Sequence, residues 1–185
     1  MTATTAIISG TPLHFPAEAE PFLPQRLPMR LIDTALGADD FSAESRTTIR
    51  PDNLLLDAQG AFPGAGLIEV MAQTIGIYAG RLRLSAGLRP RAGLLLGTRR
   101  LRLAQRSFPV GAVLFCRIEK TFESDDGLWQ FDCRVALERP DGAREPAGEA
   151  MLTVFNPPPG YFDQDRTSAH AAPASDEPTS HAEKS

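Results

Sequence analysis

Phe62-Pro63-Gly64-Ala65-Gly66-Leu67-Ile68-Glu69-Val70-Met71-Ala72-Gln73-Thr74-Ile75-Gly76-Ile77-Tyr78-Ala79-Gly80-Arg81-Leu82-Arg83-Leu84 is the stretch whose reading decides the fold. Over residues 65–84 no proline interrupts it, and apolar residues occupy most faces of a 3.6-residue period. Glu69 is the one charge before Arg81. The pattern predicts a long helix, and a helix apolar on most sides has to be enclosed by something else.

The flanking segments supply the enclosure. Residues 29–36 and 41–49 read as short strands on either side of Gly37-Ala38-Asp39-Asp40, a hairpin turn by composition. Further on, Trp129, Phe131, Cys133, Val135 and Leu137 alternate with Gln130, Asp132, Arg134 and Glu138, the period-two pattern of a strand with one buried face. Leu114, Cys116 and Ile118 supply the neighbouring strand across the turn Ser124-Asp125-Asp126-Gly127, and residues 94–103 and 148–155 complete the set. The expected fold class is α+β, an antiparallel sheet wrapped around one long central helix.

Length and charge narrow the function. At 185 residues, 42% hydrophobic and 23% charged, the chain suits one domain with an unstructured terminus. Residues 1–22, punctuated by proline, read as a flexible lead-in, residues 23–156 as the domain, and residues 157–185, poor in apolar side chains, as a disordered tail. A net charge of −4 offers no basic field for nucleic acid or for a membrane surface. No signal-peptide pattern opens the chain, and no run reaches the roughly 20 apolar residues of a membrane span, so a cytoplasmic location is expected. Cys116 and Cys133 then read as buried free thiols. Neither they nor His14, His170 and His181 have metal-ligand spacing, and no metal or other cofactor is called for.

A lone carboxylate on an apolar helix needs a reason, because ionised and unpaired in a core it costs several kcal/mol or takes up a proton. Glu69 and Gln73, four residues apart, share one helical face and could point into one cavity. Two readings stand at this point. Glu69 is a general acid, or it merely favours the positive end of the helix dipole or pairs with an arginine. Ahead of it, Gly64, Ala65 and Gly66 leave backbone amides open to approach, fit to polarise a carbonyl, or serve only tight packing of the turn.

Phe62-Pro63-Gly64 followed by Glu69-Val70-Met71-Ala72-Gln73 resembles the helix start and the Glu-x-Met-Ala-Gln signature of hotdog-fold 3-hydroxyacyl-acyl-carrier-protein dehydratases. Leu23-Pro24-Gln25-Arg26-Leu27-Pro28-Met29 is similar to their opening Leu-Pro-His-Arg-x-Pro segment, and Phe108-Pro109-Val110-Gly111 to the turn before a later strand. Leu56-Asp57-Ala58-Gln59-Gly60 and Leu96-Gly97-Thr98-Arg99 are similar to the dehydratase-like proteins of aryl polyene biosynthesis. The resemblance spans residues 23–155. It implies a hotdog fold, a dimer that extends the sheet and shares its active sites, and an acyl carrier protein presenting a phosphopantetheine-linked acyl chain. It also implies Glu69 as acid, Gln73 as orienting group, and Asn53, Gly64, Ala65 and Gly66 at the thioester.

The family pattern is broken at two histidines: Gln25 stands in place of the one in the opening segment, a position not assigned to chemistry, and the catalytic one is missing. Its members carry a histidine in the loop before the helix that acts on the C2 proton, whereas this loop reads Asp52-Asn53-Leu54-Leu55-Leu56-Asp57. Neither asparagine nor leucine accepts a proton near neutral pH. The expectation is therefore a dehydratase that eliminates water from a carrier-bound 3-hydroxyacyl thioester, with Asp57 as the nearest substitute base. The alternatives are a non-catalytic or half-catalytic subunit of a mixed hotdog dimer, and a hotdog acyl thioesterase, with the dimer itself either a homodimer or a heterodimer with a related hotdog subunit. Arg99, Arg100, Arg102 and Arg106 form a basic stripe that could meet an acidic carrier protein or could be a solvated face.

Overall fold

A computed structural model describes residues 6–8, 11–157 and 161. Ala6–Ile8 (β1) and Thr11–Leu13 (β2) pair with each other, and Ala17–Glu18 (β3) opens the main sheet. The next two strands, β4 (Thr34–Ala38) and β5 (Ser42–Thr48), are joined by a turn that Asp39 closes: its Oδ1 accepts the amides of Phe41 and Ser42 at 2.8 and 2.7 Å. A two-residue strand, β6 (Phe62–Pro63), leads through a 3₁₀ turn at Gly64–Gly66 into the helix α1 (Leu67–Ser85). There follow β7 (Leu94–Leu103), β8 (Ser107–Phe108), β9 (Val113–Glu123), β10 (Leu128–Glu138) and β11 (Arg144–Phe155).

Seven strands form one antiparallel sheet in the order β3-β4-β5-β9-β10-β11-β7. Alternation does what the pattern implied. Leu114, Cys116, Ile118, Trp129, Phe131, Cys133 and Val135 are all buried, and they face α1. The helix sets Val70, Met71, Ile77 and Tyr78 into this surface, each at most 1% exposed, worth roughly 1.5–3 kcal/mol per fully buried apolar side chain. Tyr78 meets Trp129 and Phe131 edge to face with ring centroids 5.8 and 5.5 Å apart. One polar tie crosses the core, where the Thr74 hydroxyl lies 2.7 Å from that of Ser45 on β5. The curled antiparallel sheet around a single long helix is the hotdog fold.

Three boundaries differ from the sequence expectation. Residues 29–33 are not strand; the chain there is irregular, held by Arg50, which donates to the Arg30 carbonyl and the Asp33 carboxylate. β11 begins at Arg144 rather than near 148, because β10 continues to Glu138 and supplies partners for it beyond a bulge at Val135/Ala136. Residues 17–22, read as lead-in, contribute β3 and a 3₁₀ turn whose Phe22 is 2% exposed in the core. Of the tail read as disordered, nearly all lies outside the described residues. Cys116 and Cys133 are free and buried. Among the described residues no helix is long and apolar enough to cross a membrane.

Candidate active site

The first turn of α1 carries Glu69, half-buried. Its Oε1 accepts a 2.8 Å hydrogen bond from Gln73 Nε2, one helical turn on, as the four-residue spacing allows. That Nε2 also donates to the Met29 carbonyl at 2.8 Å, and Gln73 Oε1 accepts the Leu31 amide at 2.8 Å. Gln73 is 1% exposed, and both of its amide protons have acceptors. It therefore pins the irregular segment before β4 onto the helix and at the same time fixes the Glu69 carboxylate.

Glu69 lines a groove of about 150 Å³ between α1 and the last strands. Ala72, Gly76 and Ala79 form its helical floor, so it follows the helix for about 15 Å at 1.5 Å per residue from Glu69 to Ala79. Leu94, Leu95, Val154 and Trp129 make most of the wall apolar, and Gln25, Arg91 and Asn156 add polar groups to it. A carboxyl group at the head of a narrow apolar channel can deliver or take a proton at one end of an elongated apolar chain. A larger cavity, about 590 Å³, lies away from Glu69 on the other face of the sheet, where Arg144 stacks 3.4 Å over Phe115.

The other residues read from sequence fall in different places. Asn53 is 7% exposed, but its Oδ1 accepts the Leu55 amide at 2.9 Å and its carbonyl accepts the Leu56 amide, so it shapes its own loop and is not on the groove wall. Asp57, exposed, accepts the amides of Gln59 and Ala61, which makes it a turn former. The Gly64 amide donates to the Arg106 carbonyl at 2.7 Å, which withdraws it from the set of amides available to a carbonyl. A Cβ at Gly64 would lie 2.6 Å from the Gln105 carbonyl oxygen, and one at Gly66 2.6 Å from the Phe62 ring. Both glycines are thus required by packing, while Ala65 between them is exposed. Arg99, Arg100 and Arg102 are exposed on β7, and Arg102 pairs with Glu149 at 2.7 Å. His14 is exposed beyond β2; His170 and His181 lie outside the described residues.

Gln25 is the residue that sequence reasoning set aside. It lines the same groove as Glu69, and its Oε1 is buried with no hydrogen-bond partner. A buried acceptor without a donor is costly, and in a groove it marks where a donor from a ligand would sit. The signal was the exchange of a histidine for glutamine in the opening motif, which locates a polar group without saying what faces it.

The ApeP-like family model, that of the ApeP dehydratases, matches residues 17–167. The chain belongs to the ApeP-like dehydratase family. This ApeP-like chain superposes on the dehydratase heterocomplex ApeI:P from Xenorhabdus doucetiae with a TM-score of 0.71 and 23% identity, over 81% of this chain and 97% of that one. Weaker likenesses are to smu.793 from Streptococcus mutans UA159 bound to acetyl CoA (TM-score 0.49, 14% identity, 71% and 92% covered) and to the PaaI protein of the E. coli phenylacetic acid degradation operon (0.47, 11%, 66% and 81%). The first, at 23% identity, supports the hotdog fold. No curated protein matches the chain.

Proposed function

We propose that the chain is the acid-bearing half of a two-subunit dehydratase acting on a 3-hydroxyacyl thioester tethered to an acyl carrier protein. The observation that carries this reading is Glu69, held by Gln73 at the head of a largely apolar groove in which, among the described residues, no histidine takes part. In the elimination, a base removes the C2 proton, the electron pair of that C–H bond forms the C2=C3 double bond, and the C3 hydroxyl leaves as water with a proton from Glu69. The base then holds one proton and Glu69 lacks one, and solvent exchange restores both. Asn53 cannot be that base, nor does Asp57 lie on the groove wall, so the base comes from a second hotdog subunit. The relative solved as a dehydratase heterocomplex supports such a pairing. Gln25 Oε1 is suited to accept a hydrogen bond from the amide of the pantetheine arm or from the substrate hydroxyl.

The test uses 3-hydroxyacyl and enoyl carrier-protein substrates, read by the mass of the carrier-bound acyl group. The chain alone leaves the substrate unchanged, and the chain with its histidine-bearing partner removes one water. Glu69→Gln in that pair lowers the rate by about 10²–10⁴-fold, the span of general acid–base catalysis. Undiminished turnover by Glu69→Gln contradicts the assignment, and release of free acid instead of water makes the protein a thioesterase.

A further inference from the structure

The two ends of the seven-stranded sheet are unlike. β3 offers two residues, whereas β7 offers ten, all exposed except the half-buried Leu101. Long bare edges invite strand addition, and proteins guard them with charge or cover them. Among the strands α1 packs chiefly against β4, β5, β9 and β10, and its contact fades at β11, so the helix covers the inner side of β7 only loosely. Leu94, Leu95, Leu96 and Leu103 of β7 are 40–57% exposed, and Leu94 and Leu95 wall the Glu69 groove. Whatever covers this edge also completes the groove.

The edge is charged with one sign. From residue 94 to residue 106 the chain holds Arg99, Arg100, Arg102 and Arg106 and no acidic residue. Of these, Arg102 is paired with Glu149, and the surplus rests on Arg99 and Arg100. Arg100 has φ +56°, a left-handed conformation uncommon outside glycine, at a bulge where β7 carries two residues opposite Ala150. A two-fold axis at Arg99, near the middle of β7, would set Arg99 directly opposite its counterpart with Cα atoms about 4.5–5.5 Å apart, and an axis at Thr98 would leave the two arginines on one face about 8 Å apart. Sliding the strands to separate the arginines shortens the paired length. Like charges facing each other across an interface disfavour that pairing.

We infer that the arginines of β7 select against a second copy of this chain and for a hotdog partner whose edge strand carries Asp or Glu opposite Arg99 and Arg100. This rests on the two-subunit reading above and names the chemistry of the second subunit. The edge position favours a strand over a carrier protein as occupant, because β7 presents unpaired backbone groups and apolar side chains beside the charges.

Sedimentation equilibrium of the full chain, alone and mixed with a charge-reversed copy (Arg99→Glu with Arg100→Glu), tests this without reference to catalysis. At low ionic strength neither chain self-associates appreciably, and the mixture forms a 1:1 pair bound about ten-fold tighter or more than either self-pair. Raising salt strengthens the wild-type self-pair and weakens the mixed one, since screening removes both repulsion and attraction. A neutral variant, Arg99→Ser with Arg100→Ser, self-associates at low salt and shows neither trend. Circular dichroism melts confirm that each variant is folded. A wild-type dimer indifferent to salt, or a mixed pair no tighter than the self-pairs, overturns the proposal. So does a reversed copy that loses binding to holo acyl carrier protein while its self-association is unchanged, which would make the stripe a carrier site. Failure of the dehydration assay leaves these outcomes unaffected.

Discussion

Replacing Gln73 by leucine removes three hydrogen bonds from one buried side chain and leaves the Leu31 amide and the Met29 carbonyl without their partner. Each orphaned group costs about 1–3 kcal/mol, so Gln73→Leu should lower the unfolding free energy by about 2–4 kcal/mol in urea titration. Activity of the proposed two-subunit enzyme should fall as well, because the Glu69 carboxylate loses its fixed orientation. Asp39 gives a pH-dependent counterpart. Burial alone would raise its carboxyl, but the Phe41 amide, the Ser42 hydroxyl and the Ser42 amide, helped by Arg117, hold it below the ordinary 3.8. A lowered folded-state value means stability that is present above the unfolded value and lost as pH falls through the folded one. Asp39→Asn should therefore be less stable than wild type at pH 7, by under about 1 kcal/mol at so exposed a site, and the two should converge as pH drops below about 4 in acid-unfolding curves. Burial drives the Cys116 thiol up to about 12, though a hydrogen bond with Thr74 opposes it, and the Cys133 thiol is raised in the same way. Neither should react with iodoacetamide at pH 8 until the protein is unfolded.

The elements show which signals in a sequence are self-sufficient. β9 and β10 were legible because each buries one face of a pleat, and alternation of Leu114, Cys116 and Ile118 or of Trp129, Phe131 and Cys133 states that directly. α1 was legible from its length and its lack of proline. Residues 29–33 were not, because an apolar run with Leu31 and Ile32 looks like a strand until a glutamine 42 residues away takes the Leu31 amide. The start of β11 was hidden by Arg144, Glu145 and Pro146, which carry no strand signature and are paired only because β10 runs past them. In the site, the Glu69–Gln73 pair followed from helical spacing, whereas the place of Gln25 depends on a chain crossing that no local pattern records. Gly80 is the sharpest steric demand on the helix: a Cβ there would sit 2.0 Å from the Phe22 carbonyl oxygen, where the 3₁₀ turn crosses α1. Gly80→Ala should cost about 1–3 kcal/mol or more, against a gain of up to about 1 kcal/mol expected from helix propensity alone, with the thermal midpoint as the readout.

At the scale of the whole molecule, a groove with a carboxylate at one end and a bare strand along one wall fits the proposed half of a two-subunit unit. The face with the larger cavity and the ladder Glu44, Arg117, Arg134, Glu149, Arg102 is charged from strand to strand and faces away from that unit. Covering β7 should protect its backbone amides from hydrogen exchange in the mixed pair, while those of β3 exchange equally with and without the partner. The brevity of β3 has a consequence for growth. With ten rungs at one end of the main sheet and two at the other, each subunit has one long edge on which a strand can be added, so in the proposed pair growth by edge pairing would be used up once two are joined. Edge-to-edge polymerisation would then end at its first step, giving a discrete particle rather than a filament.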